Sequence, residues 1–98
     1  MIVYLSGKIT GNPNFVSEFN HYEQLLKDMG HEVINPAKVS SGLPESFTHS
    51  EYMAVDLPLI DKCHAVAFMP NWEDSLGASI EMGYAIARGK AIMEMETE

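Results

Sequence analysis

The sequence predicts a three-layer α/β sandwich of the Rossmann-like, flavodoxin-like kind, built on four parallel strands in the order 2-1-3-4. Two observations carry that expectation. Four short runs rich in apolar residues, Ile2 to Leu5, Glu32 to Ile34, Ala65 to Met69 and Ala91 to Met95, have the length of strands buried on both faces. Helical stretches separate them, and the resulting βαβαβαβ alternation calls for parallel strands joined by right-handed crossovers, with helices on both faces of the sheet. At 98 residues the chain is too short to divide its core, so residues 1–98 are expected to form one domain.

Each element has its own signal. The first strand stops at Ser6 and Gly7. After the turn-rich Gly11-Asn12-Pro13-Asn14, the residues Phe15, Phe19, Tyr22, Leu26 and Met29 recur at spacings of four and three, which is one face of a helix. Asn12 is expected to cap it, with Pro13 at the first helical position and Gly30 ending it in a left-handed conformation. The second strand closes at Asn35-Pro36. Val39 to Phe47 holds Gly42, Pro44 and serines, and reads as a loop long enough to cover a site. From His49 to Lys62 the pattern is helical, with a kink or restart expected at Pro58, whose backbone has no donor. Leu76 to Ala87 is the last helix, ended by Gly89.

Charge and composition exclude several classes. Six basic residues face fourteen acidic ones, for a net charge of −8. Duplex nucleic acid and anionic membranes need a basic surface, so neither is an expected partner. The single cysteine, Cys63, has no second cysteine for a disulfide or a zinc pair, and the four histidines show no metal-ligand spacing. No apolar run approaches the roughly 18 residues of a membrane span. A cytoplasmic protein with no metal and no cofactor is the expectation, and exposed apolar residues on so small a domain, Trp72 and Met53 among them, point to a homodimer or larger homo-oligomer.

In open sheets of this type, ligands bind beyond the carboxyl ends of the strands, where the strand order reverses. For the order 2-1-3-4 that crevice lies between strands one and three. It would be lined by Ser6, Gly7, Lys8 and Ile9 after the first strand, and by Trp72, Ser75 and Gly77 after the third. Glu81 stands out on charge, because every other residue of LGASIEMGYAIA is apolar, small or hydroxylic. An unpaired carboxylate in so apolar a helix is costly unless it is hydrogen-bonded or protonated. It either reaches the surface, pairs with Lys8 or Lys90, or serves the crevice. Its place, about 9 Å along the helix from Ser75, favours the crevice. Asp56 interrupts the apolar stretch YMAVDL, and either caps a helix restarting at Pro58 or joins Glu81. Two carboxylates at one crevice suit glycosidic chemistry, in which one attacks or stabilises an oxocarbenium-like carbon and the other serves the leaving group.

The segments YLSGKITG, VINPA and DLPLIDKCHAVAFMPNWEDSLGASIEMGYAIARGKAI resemble the nucleoside 2-deoxyribosyltransferase superfamily over nearly the whole chain. Its relatives include the 2′-deoxynucleoside 5′-monophosphate N-glycosidases and a branch of small phage and bacterial proteins. The most distinctive part is D-L followed by S-L-G-A-x-x-E-x-G-x-A. The resemblance implies that Glu81 is a nucleophile at C1′, that Asp56 assists at the base or orients the sugar, and that Tyr4 hydrogen-bonds the nucleophile; the alternative for Tyr4 is core packing with its hydroxyl at the rim. It also implies that Ser75, with Leu76 and Gly77, holds a 5′-phosphate or 5′-hydroxyl. Backbone donors at a helix N-terminus, together with the loop Gly7 to Gly11, suit that task. Trp72 either stacks on a base or covers the edge of the site, or is a plain hydrophobic plug. The chain departs from the family at Lys8, at His64 and at Pro58. Its end, EMETE, together with Glu73 and Asp74, would repel a phosphate. A small nucleoside or nucleotide is therefore the expected partner. The alternative is a module that binds and sequesters a nucleotide-like metabolite without turning it over.

Overall fold

A computed structural model describes residues 1–97. Its four strands are β1 (Ile2–Ser6), β2 (Glu32–Ile34), β3 (Ala65–Phe68) and β4 (Ala91–Glu94), all parallel and in the order β2-β1-β3-β4. This is the expected order. The register sets Tyr4 beside Val66 and Ser6 beside Phe68, so β1 and β3 end together at the switch point.

Alternation along the strands divides the core in two. Val3, Leu5, Ala65 and Ala67 face helix α1 (Phe15–Asp28), which buries Phe19, Tyr22 and Leu26 against them. Tyr4, Val66 and Phe68 face the opposite way, where Ile60 of α3 (His49–Asp61) and Ala85 of α4 (Leu76–Ala87) complete the second cluster. Because side chains alternate with a period of two, Ser6 shares the face of Tyr4 and points toward α3 and α4. Among the described residues no helix is long and apolar enough to cross a membrane.

Local chemistry accounts for where the elements differ from expectation. Helix α1 begins after Asn14, not after Asn12, because the Asn12 side chain is occupied closing the loop: it donates to the Lys8 carbonyl at 3.1 Å and to Glu18 at 2.8 Å, and accepts from the Asn14 N–H. Pro13 therefore lies outside the helix. The other end is as expected: Gly30 has φ +92°, its N–H bonds the Lys27 carbonyl, and the His31 N–H bonds that of Leu26. A short helix, α2 (Pro36–Ser40), takes the start of the expected loop; Asn35 caps it by accepting from the Ala37 N–H at 2.9 Å.

Helix α3 starts with a capping box between Thr48 and Glu51 and passes through Pro58 without restarting. Pro58 and Ala54, whose carbonyl loses its partner, are both exposed, so the lost bond falls on the solvent side. The reading of Asp56 as a cap is thereby overturned. His64, just before β3, accepts the Ile2 N–H on Nδ1 at 3.0 Å and so joins the starts of β1 and β3.

Candidate active site

β1 and α4 together build the centre of the site. Ser75 caps α4 by accepting the Ala78 N–H at 3.1 Å, and this fixes the helix so that Glu81 enters above the end of β1. Glu81 is only 5% exposed. One carboxyl oxygen accepts from the Tyr4 hydroxyl at 2.5 Å and the other from the Ser6 hydroxyl at 2.7 Å. Neither Lys8 nor Lys90 pairs with it: Lys8 lines a separate depression with Gly11, Asn12, Asn71 and Asp74, and Lys90 donates to the Asp61 carbonyl. A buried carboxylate held by two neutral hydroxyls is the arrangement that results.

Its electrostatics follow from that setting. Burial pushes the Glu81 carboxyl up to about 7, against the lowering effect of the Tyr4 and Ser6 hydrogen bonds and with a further rise from the negative field of Asp56. Asp56, 8% exposed on the buried stripe Met53, Asp56, Ile60 of α3, is pushed up to about 6 by burial, with the polar hydroxyl of Tyr4 opposing the rise. Both carboxyl groups thus face one phenol. Burial, then the fields of Glu81 and Asp56, hold the Tyr4 hydroxyl well above its ordinary range, so it stays a donor at any working pH.

These three side chains open on one cavity, which is also lined by Gly7, Ile9, Thr10, Phe19, Pro36, His49, Met53, Ser75, Gly77 and Ala78. Of the residues singled out in the sequence, Tyr4, Asp56, Glu81, Gly7, Ile9, Ser75 and Gly77 meet here, with Ser6 just behind Glu81. A Cβ at Gly7 would lie 2.8 Å from the Met69 sulfur and 3.1 Å from the Met69 Cβ, so a side chain there would require Met69 to move. Two expected residues do not join them. Lys8 is turned into its own depression. Trp72 packs on Phe68 with ring centroids 5.3 Å apart and donates its indole N–H to Glu94 at 3.3 Å, which commits it to the start of the β3–α4 connection.

Sequence reading missed Phe19, Pro36, His49 and Met53. A signal existed for two of them: the Thr48/Glu51 capping box marks a helix start, and His49, Met53 and Asp56 then fall at i, i+4 and i+7 on one face. Met53 is buried in this cavity and Trp72 half-buried, so neither supplies the exposed apolar surface expected of them; Leu76, Ile80, Ile86 and Ile92 do.

Comparison with known proteins fits this geometry into a family. The family model described as "Domain of unknown function (DUF4406)" matches residues 1–94. The chain belongs to the DUF4406 family. This DUF4406 chain is 26% identical over 107 residues to uncharacterized protein C191.05c of Schizosaccharomyces pombe, and the match covers 98% of the chain but 50% of that protein. It therefore spans about half the length of this curated relative. Among solved structures, a 2-deoxyribosyltransferase from Bacillus psychrosaccharolyticus superposes with a TM-score of 0.76 at 23% identity, covering 96% of this chain and 71% of that one. The CMP N-glycosidase BcmB of Clostridium botulinum gives 0.66 at 22%, covering 96% and 70%. A 2-deoxyribosyltransferase from Leishmania mexicana gives 0.71 at 20%, covering 99% and 65%. The DUF4406 chain thus has the nucleoside 2-deoxyribosyltransferase-like fold.

Proposed function

We propose that the protein cleaves or transfers the N-glycosidic bond of a (deoxy)nucleoside or nucleoside 5′-monophosphate, with Glu81 as the nucleophile. The observation that carries this reading is the buried Glu81 carboxylate, held at both oxygens by Tyr4 and Ser6 and paired across one cavity with Asp56. A structural carboxylate in such a place would be expected to have a cation beside it, and among the described residues this one is held by hydroxyl donors.

In the first step a Glu81 oxygen forms a bond to C1′ as the C1′–N bond breaks, and the electron pair leaves with the base. The base nitrogen takes a proton from Asp56, whose pKa is raised by burial. With Glu81 at about 7 and Asp56 at about 6, the reactive form, Glu81 ionised and Asp56 protonated, is the minor one of the singly protonated pair in the absence of substrate. Tyr4 and Ser6 fix the aim of the carboxylate and favour its ionised form, so part of the population is ready to attack near pH 7 despite burial. In the second step water, or the nitrogen of a second base, attacks C1′, gives its proton to Asp56 and releases Glu81. Ser75 and Gly77, at the start of α4, are suited to hold the sugar's 5′ substituent. The fold shared with 2-deoxyribosyltransferases and a CMP N-glycosidase supports the substrate class.

The test is incubation with a panel of deoxynucleosides, ribonucleosides and their 5′-monophosphates, alone and with a second free base, followed by chromatography. Release or exchange of base from at least one member is expected. Tight binding of a member without release from any would instead establish a sequestering module.

A further inference from the structure

The described residues include five buried polar or charged side chains: Ser6, Asp56 and Glu81 at the site, and Glu23 and Asn35 away from it. The last two are paired with each other. The Glu23 carboxylate on α1 accepts from Asn35 Nδ2 at 2.9 Å and is closed by Lys27 of the same helix at 2.6 Å and by Lys38 of α2 at 3.0 Å. Burial alone would raise its pKa, yet the hydrogen bonds from Lys27, Asn35 and Lys38 outweigh that and lower it to about 2, so it is a fixed charge in any working buffer. Asn35 uses its other side-chain atom, Oδ1, to cap α2 through the Ala37 N–H, and its carbonyl accepts from Lys38 and Val39.

What this network holds is a wall of the cavity. Pro36, the next residue after Asn35, lines the cavity, and so does Phe19, one turn before Glu23 on α1. The chain returns to the cavity only at His49. Residues 37–48 therefore form a strap tied to the cavity wall at both ends. One end is fixed by the Thr48/Glu51 capping box of a 13-residue helix. The other is a five-residue helix that packs Ala37 into the core and whose polar side-chain ties to α1 run through Asn20 and Glu23.

We infer that Glu23 is a positioning residue: through Asn35 it sets where Pro36 and the near end of the strap stand, and hence how well substrate fits. Tyr4, Ser6, Asp56 and Glu81 are carried by β1, α3 and α4, so the reacting groups keep their arrangement when the strap loosens. The consequence is a change in KM with little change in kcat. That kinetic arm rests on the proposed glycosidic activity; the structural arm does not.

The test compares Glu23→Ala with Lys27→Met, which removes a charge partner of Glu23 but touches nothing on α2. Hydrogen exchange is followed over residues 37–48, where the amides of Lys38, Val39, Ser41, Gly42 and Leu43 are closed by short-range bonds. In Glu23→Ala these amides are expected to exchange at least about tenfold faster while those of β1 and α4 hold, and KM is expected to rise several-fold with kcat within about twofold. Lys27→Met is expected to match the wild type in both. If Glu23→Ala does not fold, Asn35→Asp keeps the cap on Ala37 but sets a second carboxylate against Glu23, and the same local loosening is expected. Unchanged exchange over residues 37–48, with only a lower melting temperature, would overturn the inference and leave Glu23 a stabilising residue. Absence of turnover in the wild type would overturn the glycosidic reading instead, with the exchange result still deciding the role of Glu23.

Discussion

Replacing Glu81 by glutamine keeps the volume of the side chain and removes its charge, and the structure makes the energetic result calculable. The folded protein holds this carboxyl at about 7 against 4.5 for the ordinary group. Between those two values the folded state binds more protons than the unfolded chain, so the contribution of Glu81 to stability falls as pH rises and is fully lost above about 7. A gap of about 2.5 units at 1.36 kcal/mol each is on the order of 3 kcal/mol. Glutamine escapes that penalty, but it accepts fully from only one of the two hydroxyls of Tyr4 and Ser6, a loss of roughly 1 kcal/mol. Glu81→Gln is therefore expected to be about 2 kcal/mol more stable than the wild type at pH 8, roughly 10 °C in melting temperature for a domain this size, and no more stable than it at pH 4. Urea unfolding at both pH values measures the difference. The same variant should bind nucleosides and turn them over slower by several orders of magnitude. Equal destabilisation at pH 4 and pH 8 would refute the desolvated carboxylate, and full activity would remove Glu81 from the chemistry.

Asp56→Asn should slow substrates whose base needs protonation to leave far more than those with a good leaving group, which a comparison of kcat over a series of bases will reveal. Tyr4→Phe deletes a hydrogen bond that lowers the Glu81 pKa, so the acid limb of the kcat/KM profile should move to higher pH by about one unit; an unmoved limb would mean that Tyr4 does not tune the nucleophile. The exposed Leu76, Ile80 and Ile86 lie on one helix whose single charged residue, Glu81, is buried, and self-association through such a surface should appear as a dimer or larger species in sedimentation at micromolar concentration; a strict monomer would count against it.

The sheet was legible because its order follows from alternation and crossover handedness, which need only element types. Glu81 was legible because it is the one charge in Leu76–Ala87, and the cost of burying such a charge does not depend on details of packing. Features fixed by the direction of a side chain were not legible. Nothing local distinguishes a Lys8 turned toward Glu81 from one turned toward Asn71, and Trp72 is committed by Phe68 and by Glu94, 22 residues away. Helix α2 has five residues, too few for a periodicity to develop, and it exists because Asn35 and Pro36 start it and α1 holds it. Whether Pro58 restarts the helix depends on whether the released carbonyl meets solvent, which only tertiary placement decides.

The central claim is that Glu81 bonds to the sugar. Mass spectrometry of the wild-type protein, quenched in acid during turnover of a nucleoside that releases base and then digested, measures this directly. The account predicts a peptide containing Glu81 heavier by the sugar residue and absent from the Glu81→Gln digest. A quenched sample with base released and the adduct on another carboxylate, such as Asp56, Glu51 or Asp74, or on none, would contradict it.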